Sequence, residues 1–332
     1  MLTASAPPIR IGVLGAARIV PAALIYPART VQGVVVATIA ARDPARARRF
    51  AAAYGIPLTH ATYADVIADP NIDAVYIPLP NSLHHGWTLA ALAAGKHVLC
   101  EKPLAANAAE AAQMVQAAEQ AGLVLMEAFH YRYHPLAERM KAILTGGELG
   151  AVRHIESRVC LPLLRRHDIR FRYDLAGGAL MDAGCYAIHI ARFLAGAEPE
   201  VVSAQAYLRS AQVDRRVVAA LRFPGGVTGR MECSLFARKL LDVQAIVAGE
   251  RGVLRVVNPV LPHLLHWIWV RTAEGIRWER VLGQTTYAHQ LEAFADAVQT
   301  GVAPLTGPAD ALANMRVIDD VYAAAGLRLR GT

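Results

Sequence analysis

Two places in this chain carry residue types that could hold and move protons, a lysine at the end of an apolar run and a set of polar residues at helical spacing. Lys102 follows the apolar run Val98-Leu99-Cys100 and lies in Glu101-Lys102-Pro103. Asp182, Tyr186 and His189 lie in Gly177-Gly178-Ala179-Leu180-Met181-Asp182-Ala183-Gly184-Cys185-Tyr186-Ala187-Ile188-His189, which is helical in pattern from Leu180 onward. Residues three and four apart are neighbours on a helix, so the spacing puts all three polar groups on one face. Burying them in an otherwise apolar helix is costly without partners, and a cleft accommodates them better than a core. The alternative is a satisfied core tyrosine and histidine. A phenol with an ordinary pKa of about 10 is a poor base near neutrality, but an adjacent ammonium favours its ionised form. Lys102 beside Tyr186 is therefore expected to lower the phenol's pKa, with Asp182 holding Tyr186 or a substrate.

Such a meeting needs Lys102 at the ligand side of a sheet. Strands buried on both faces read as continuous apolar runs, and ligands of open α/β sheets bind beyond the strands' carboxyl ends. Lys96–Cys100 fits such a strand, which puts Glu101 and Lys102 in the crevice; the alternative is a solvated loop lysine. Ile9–Leu14 is an earlier apolar strand running into Gly15-Ala16-Ala17-Arg18-Ile19-Val20 and an alanine-rich helix. Strand, glycine turn and helix form the context of a dinucleotide fingerprint, in which backbone amides approach a pyrophosphate. The glycine pattern is incomplete. Gly12 lies inside the strand, and Ala17 and Val20 stand where further glycines would be, so an ordinary strand–helix turn is the alternative.

The next strand, Val34–Ala40, ends in Ala41-Arg42-Asp43 before the helix Pro44–Tyr54. An acidic residue near this strand end binds the ribose 2′-hydroxyl of NAD, whereas a nearby arginine accommodates the 2′-phosphate of NADP. Ala41 occupies the decisive position, Arg42 follows, and Asp43 fits a helix N-cap. NADP(H) is the expected cofactor, ahead of NAD(H); the alternative leaves Arg42 as a surface arginine. A strand at Ala74–Pro78 leads into Leu79-Pro80-Asn81-Ser82-Leu83-His84-His85 and the helix Gly86–Ala94. After Lys96–Cys100 come the helix Ala106–Ala121 and the strand Leu123–Met126. Alternating strands and helices predict a parallel, doubly wound sheet with right-handed crossovers.

With 332 residues the chain has room for two domains. Cys100, Cys160, Cys185 and Cys233 are scattered without a C-x-x-C pair or metal-ligand spacing, which predicts buried thiols, a reducing compartment and no metal. The formal charge is +7, with arginines concentrated at Ala41–Arg49 and Leu164–Arg172. No nucleic-acid-binding motif accompanies them, and positive charge around a cleft suits a phosphorylated cofactor. Met1–Pro8 is too short and too weakly apolar for a signal peptide, and no segment approaches a membrane span. The expectation is a soluble, cytoplasmic protein with no nucleic-acid or membrane partner.

The Gly15 turn, Pro80-Asn81-Ser82-x-His84, Glu101-Lys102-Pro103 and Glu127-Ala-Phe-His130-Tyr-Arg-Tyr-His-Pro135 together resemble the glucose–fructose oxidoreductase / inositol dehydrogenase / rhizopine-catabolism (Gfo/Idh/MocA) family. The resemblance covers nearly the whole chain, and Glu-Lys-Pro in this position is its most specific mark. It implies an α/β protein with an N-terminal Rossmann domain and a C-terminal α+β domain with an open, mostly antiparallel sheet. The domains are placed at residues 1–127 and 128–332. It implies that Gly15, Ala16, Ala17, Arg18, Ile19, Arg42, Leu79, Pro80, Asn81, His84, Glu101, Lys102, Pro103 and Arg170 meet the cofactor. Lys102 would contact the nicotinamide ribose and a substrate hydroxyl, Glu101 would orient Lys102 or the ribose, and Lys102–Pro103 would be cis. Many members carry a histidine four residues after the aspartate equivalent to Asp182. Tyr186 stands there instead, as in the branches resembling glucose–fructose oxidoreductase, dimeric dihydrodiol dehydrogenase and certain nucleotide-sugar ketoreductases.

A helix at Leu136–Thr145 and a strand at Val152–Val159 follow, then the charged stretch Arg165-Arg166-His167-Asp168-Ile169-Arg170-Phe171-Arg172-Tyr173-Asp174. A loop of this composition is usually functional or mobile; the alternative is a surface ion-pair cluster of Arg170 with Asp168 and Asp174. Strands at Glu200–Leu208, Val217–Phe223, Val227–Cys233, Leu241–Ala248, Gly252–Val257, Leu264–Arg271 and Gly275–Val281 succeed one another with short turns. Pro224-Gly225-Gly226 reads as a hairpin turn. Helices Tyr287–Thr300 and Pro308–Ala325 are expected to close this domain. The sheet's exposed face suits pairing of subunits, and the family resemblance implies a homodimer or homotetramer through it.

The reaction this set implies is NADP(H)-dependent interconversion of a secondary alcohol and a ketone on a small sugar-like or diol substrate. Tyr186 is the expected acid/base, Lys102 and Asp182 assist, and His130, Arg132, His189 and Tyr287 are expected to meet the substrate. Fold alone does not exclude a non-catalytic NADP-binding sensor, although such a protein has no chemical need for a proton donor. An aldose–aldose oxidoreductase that keeps its nucleotide bound is a third reading.

Overall fold

The computed structural model describes residues 7–163, 168–237 and 242–332. Arg165, Arg166 and His167 of the charged stretch, and Leu241, lie outside the described residues. The first sheet holds β1 (Ile9–Leu14), β2 (Val34–Ala40), β3 (Leu58–Thr59), β4 (Ala74–Ile77), β5 (His97–Cys100) and β6 (Leu125–Glu127). Their order is β3-β2-β1-β4-β5-β6 and every pairing is parallel. The order reverses beside β1, which opens a crevice between β1 and β4 at their carboxyl ends. All four β4 residues are buried, as a strand covered on both faces requires. Gly12 has a packing reason: a Cβ there would lie 2.4 Å from Val66 Cγ1, on the helix Tyr63–Ala68 that covers this strand.

Side-chain capping fixes where the helices begin. Asp43 accepts a hydrogen bond from the Ala45 amide and starts the helix Pro44–Tyr54. Asn107 does the same from Glu110, so the helix expected from Ala106 runs Ala108–Ala121. The amide of Leu123 still bonds back to Ala118 at 3.1 Å, which delays the last strand of this sheet to Leu125. The two-residue β3 has both positions exposed and no apolar run to announce it. The turn after β1 leads into a wide helical turn, Pro21–Ile25, and one short α-turn, Tyr26–Ala28.

The second sheet contains β7 (Val152–Cys160), β8 (Glu200–Ser210), β9 (Val213–Arg222), β10 (Thr228–Ser234), β11 (Asp242–Gly249), β12 (Gly252–Val257), β13 (Trp267–Thr272) and β14 (Gly275–Glu279). Its order is β14-β13-β12-β11-β7-β10-β9-β8, antiparallel except for the β7–β10 pair. The β9–β10 turn is Pro224–Gly226, closed by Phe223 and Val227. One face buries Ile155, Val159, Met231 and Cys233 towards the helix Cys185–Ala195. The other carries Glu156, Arg158, Arg216, Arg230 and Glu232 in a ladder of ion pairs.

The two layers share one core, which runs from Val75 and Val98 through Phe129 and Tyr131 to Ile188 and Val217. The helix Thr286–Thr300, expected to close the second domain, packs instead on the first sheet. Its Leu291, Phe294 and Ala295 join Ile9, Ile11 and Val13 in a separate cluster, because its apolar stripe matches the face that the short turns after β1 leave uncovered. The helix Pro308–Ala324 bridges the halves, touching both the helix Ala108–Ala121 and β8. All four cysteines are buried and free. Among the described residues no helix is long and apolar enough to cross a membrane.

Candidate active site

The crevice at the end of β1, β4 and β5 is a trough with two lobes, an outer one of about 790 Å³ and an inner one of about 600 Å³. The lobes share Ala17, Arg18, Leu79, Pro80 and Asp168. Gly15 forms the corner of the outer lobe at φ +122°, and a Cβ there would lie 3.0 Å from Leu79 Cδ2. A glycine is therefore required for the chain to turn this tightly, and it leaves the backbone open to a ligand. Ala16, Arg42 and Arg46 also border the outer lobe, where Arg46 donates to the Ala16 carbonyl at 2.6 Å. Arg46, in the first turn of the helix Pro44–Tyr54, adds a second cation to Arg42 at this lobe, and its place in the arginine-rich run 42–49 is the signal the sequence carries for it. Asp43 is committed to its helix cap and to Arg49.

Ile19, Asn81, Glu101, Lys102 and Arg170 border the inner lobe. Asn81 Nδ2 donates to the Ala176 carbonyl at 3.0 Å and ties the two walls together. The Lys102–Pro103 peptide is cis. Lys102 Nζ reaches across to the second domain, 2.9 Å from the Asp182 carbonyl oxygen and 3.2 Å from Asp182 Oδ1. Arg170 Nε holds the other oxygen of Asp182 at 2.9 Å and its Nη1 pairs with Asp168 at 3.1 Å. Arg18, Asp168, Arg170, Asp182 and Lys102 thus alternate in charge across the cleft. The surface cluster weighed for Arg170 includes Asp168 but not Asp174, which pairs with Arg172. Burial works against the charge on Lys102, yet Asp182, Cys185 and Glu101 outweigh it and hold its pKa above the ordinary lysine value. Burial likewise opposes the Asp182 carboxylate, and Lys102 and Arg170 bring it net below the usual range. Glu101 accepts a hydrogen bond from Tyr76 at 2.7 Å, and burial raises its pKa.

Tyr186 extends from the helix Cys185–Ala195 into the inner lobe. Lys102 Nζ lies 4.9 Å from the centre of its ring, so ammonium and phenol meet, but over the ring face and not at the hydroxyl. The expected lowering of the phenol's pKa is reversed. Burial is the largest influence, Tyr287, Glu101, Cys185 and Asp182 add to it, and the pKa stands well above 10. The hydroxyl oxygen lies 3.0 Å from His130 Nε2. His130 is itself buried, lines the inner lobe and packs against Tyr287 with ring centres 4.2 Å apart.

Four residues expected at the ligands, His84, Pro103, Arg132 and His189, border neither lobe. His84 is fully buried, with its ring nitrogens 2.9 Å from the Pro103 carbonyl oxygen and 2.8 Å from that of Leu79. It joins the two turns that border the cleft, and Pro103 is buried with it. His189 lies behind Tyr186, 2.5 Å from the Tyr131 hydroxyl and 2.7 Å from Asp310, and stacks on Phe129. Three residues turn a helical side chain by about 60° and shift it about 4.5 Å along the axis, enough to send it from cleft to core once partners await it. Arg132 covers the ring of Phe193 at 3.9 Å and borders neither lobe. Beyond Tyr186 the inner lobe is walled by Val159, Leu161, Val243, Val260, Leu261 and Leu265, aliphatic positions that carried no chemical signal in the sequence.

A parallel sheet with a glycine turn at its reversal point, facing a second domain that sends a phenol into the same cleft, defines a two-domain dinucleotide-binding oxidoreductase. The chain belongs to the Gfo/Idh/MocA oxidoreductase family. Residues 9–129 match its NAD-binding Rossmann fold and residues 137–255 match its C-terminal domain. D-xylose 1-dehydrogenase (NADP(+)) 2 of Haloferax volcanii is 39% identical over 315 residues, spanning 95% of this chain and 96% of that one. Trans-1,2-dihydrobenzene-1,2-diol dehydrogenase of Macaca fuscata fuscata is 37% identical over 226 residues, 68% of this chain and 66% of its own. Among solved structures, the 3-ketoreductase KijD10 of Actinomadura kijaniata, in complex with NADP and TDP-benzene, superposes with a TM-score of 0.90. It is 30% identical, and the match covers 96% of this chain and 98% of that one.

Proposed function

We propose that this chain is an NADP(H)-dependent oxidoreductase that interconverts a secondary alcohol and a ketone on a small sugar-like or diol substrate. The observation that carries this reading is the meeting of Tyr186 and Lys102 from opposite domains in one cleft continuous with the Gly15 turn. The residues fit a dinucleotide: the glycine corner leaves backbone for the pyrophosphate, and Arg42, Arg46 and Arg18 offer positive charge where a 2′-phosphate would lie. When bound, the nucleotide supplies or takes up the hydride.

Lys102, charged and fixed by Asp182, binds the ribose or a substrate hydroxyl, while Arg170 holds Asp182 in place. Tyr186 is protonated at rest, which suits it to give a proton to a developing alkoxide in reduction. The aliphatic wall suits a substrate with one hydroxylated edge and one hydrocarbon face, and the relative acting on a dihydrobenzenediol is consistent with that. Subunits pair through the second sheet, whose β13–β14 end exposes Trp267, Ile276 and Trp278; light scattering after size exclusion would give a dimer or tetramer, and a monomer would refute this. The activity is tested by following loss of NADPH absorbance against a panel of keto-sugars and alicyclic α-hydroxyketones, and its gain when NADP is supplied with pentoses and the matching trans-diols. Tight NADPH binding without turnover of any member would identify a binding-only protein instead.

A further inference from the structure

We propose that His130 is the residue that positions the Tyr186 proton and stabilises its phenolate: its Nε2–H donates to the phenolic oxygen, which turns the phenol's own hydrogen towards the substrate and holds the phenolate left after transfer. This rests on the oxidoreductase reading above and assigns His130, first grouped with substrate-binding residues, to the reacting atoms themselves.

Position decides the partner. Lys102 lies over the Tyr186 ring with its ammonium bonded to Asp182, so it does not reach the hydroxyl. Among the described residues the hydrogen-bonding neighbour of that oxygen is His130 Nε2, at 3.0 Å. Asp182, expected to hold Tyr186, is committed to Lys102 and Arg170.

Burial decides the tautomer. His130 is 3% exposed, and among the described residues its Nδ1 has no hydrogen-bond partner. A proton on Nδ1 would strand a buried N–H, whereas a proton on Nε2 bonds to Tyr186 and leaves only a lone pair unmatched at Nδ1. Orphaned buried N–H groups are the rarer and costlier case. With Nε2–H as donor, the phenolic hydrogen is free to point into the lobe where a carbonyl would sit. The groups facing the imidazole from each packed element are Tyr186, Tyr287, His263 and Lys102. Burial, then Lys102 and His263, push the His130 pKa down to about 3, so the ring stays neutral and keeps a single N–H to offer.

In reduction, a bound NADPH would supply the hydride to the carbonyl carbon, and the C=O π pair would move to oxygen as a developing alkoxide beside Tyr186. The Tyr186 O–H bond breaks and the new alcohol O–H forms. The phenolate then accepts from His130 Nε2–H until solvent water returns a proton after product leaves. Oxidation runs the same steps backwards.

His130→Leu removes the donor and His130→Gln keeps an N–H within similar reach. Removing one donor from a developing oxyanion typically costs about 100-fold or more in kcat; with Lys102 still near the ring, a fall of roughly 10–100-fold is expected for His130→Leu. NADPH binding should be unchanged, and the rising limb of the oxidation pH–rate profile, which reports deprotonation of Tyr186, should move up by more than about one unit. His130→Gln should recover most of the rate and the profile. Nucleotide binding and the thermal melt show that each variant is folded. A His130→Leu enzyme with wild-type rate and profile, or a His130→Gln enzyme equally impaired, overturns the proposal. Tyr186→Phe separates the two readings: if it stays active, the assignment of Tyr186 itself fails, and if it is dead while His130→Leu is active, only the role of His130 fails.

Discussion

Replacing Arg330 tests whether the start of the Tyr186 helix is fixed by a buried charge. Arg330 and Asp214 are both fully buried and pair at 2.7 Å. Arg330 Nε also donates to the Gly177 carbonyl at 2.7 Å, and Asp214 accepts from the Leu180 amide at 2.7 Å and the Tyr322 hydroxyl at 3.0 Å. Gly178, at φ +145°, fits against this carboxylate only because it has no side chain; a Cβ would lie 2.2 Å from Asp214 Oδ1. The pair therefore anchors the turn from which Asp182 and Tyr186 are presented. Arg330→Met keeps a side chain against Tyr322 and Tyr173, over whose rings the guanidinium now lies at 4.2 and 5.0 Å. Stranding one member of a buried pair costs about 3–5 kcal/mol. Two donors still reach Asp214, which puts the loss at the low end, about 3 kcal/mol. Adding Asp214→Asn removes the stranded charge and should return about 1–2 kcal/mol. Urea denaturation of the single variant, double variant and parent, compared at equal slope, measures both figures. A loss under about 1 kcal/mol, or a double variant no more stable than the single, would refute the reasoning.

Arg42→Ala should raise the Michaelis constant for NADPH by about 10-fold or more, the worth of a charged hydrogen bond, and leave that for NADH nearly unchanged; an equal effect on both would remove the 2′-phosphate contact. Acid should destabilise the protein early. Burial lowers the pKa values of His130 and His134 to about 3 and about 4, and lowers those of His84, His97, His189 and His263 as well. The unfolded chain takes up these protons below about pH 6.5 while the folded chain cannot, so stability is complete above that pH and is lost as it falls, by up to about 1.4 kcal/mol per pH unit for each histidine. Melting temperatures level above about pH 7 and dropping steeply below about 6.5 are expected; no change down to about pH 5 would contradict this.

The sequence made the sheet strands and the approach of Lys102 to Tyr186 legible for a local reason. Val98-Leu99-Cys100 form an apolar strand, Glu101-Lys102 are charged and need polar partners or a ligand, and the boundary falls at the ligand side of a parallel sheet. What escaped the sequence was set by distant partners. His189 shares a helix with Tyr186, but Tyr131 and Asp310, far away in the chain, draw it into the core. His84 is captured by two carbonyls exposed where the turns bend, and Phe193 takes Arg132. The direction of the Tyr186 pKa is not legible in the sequence, because burial outweighs nearness of charge there and spacing does not tell whether an ammonium meets a hydroxyl or a ring face. The packing of Thr286–Thr300 on the first sheet follows from a face that local patterns do not reveal.

The most direct test is Tyr186→Phe, measured for NADPH binding and for turnover of the best carbonyl substrate in the same preparation. Binding within about twofold of the parent and turnover lower by about 100-fold or more are expected of a lost general acid. Turnover at the parent's rate would mean that the proton comes from elsewhere and that the meeting of Tyr186 with Lys102 is not the catalytic one.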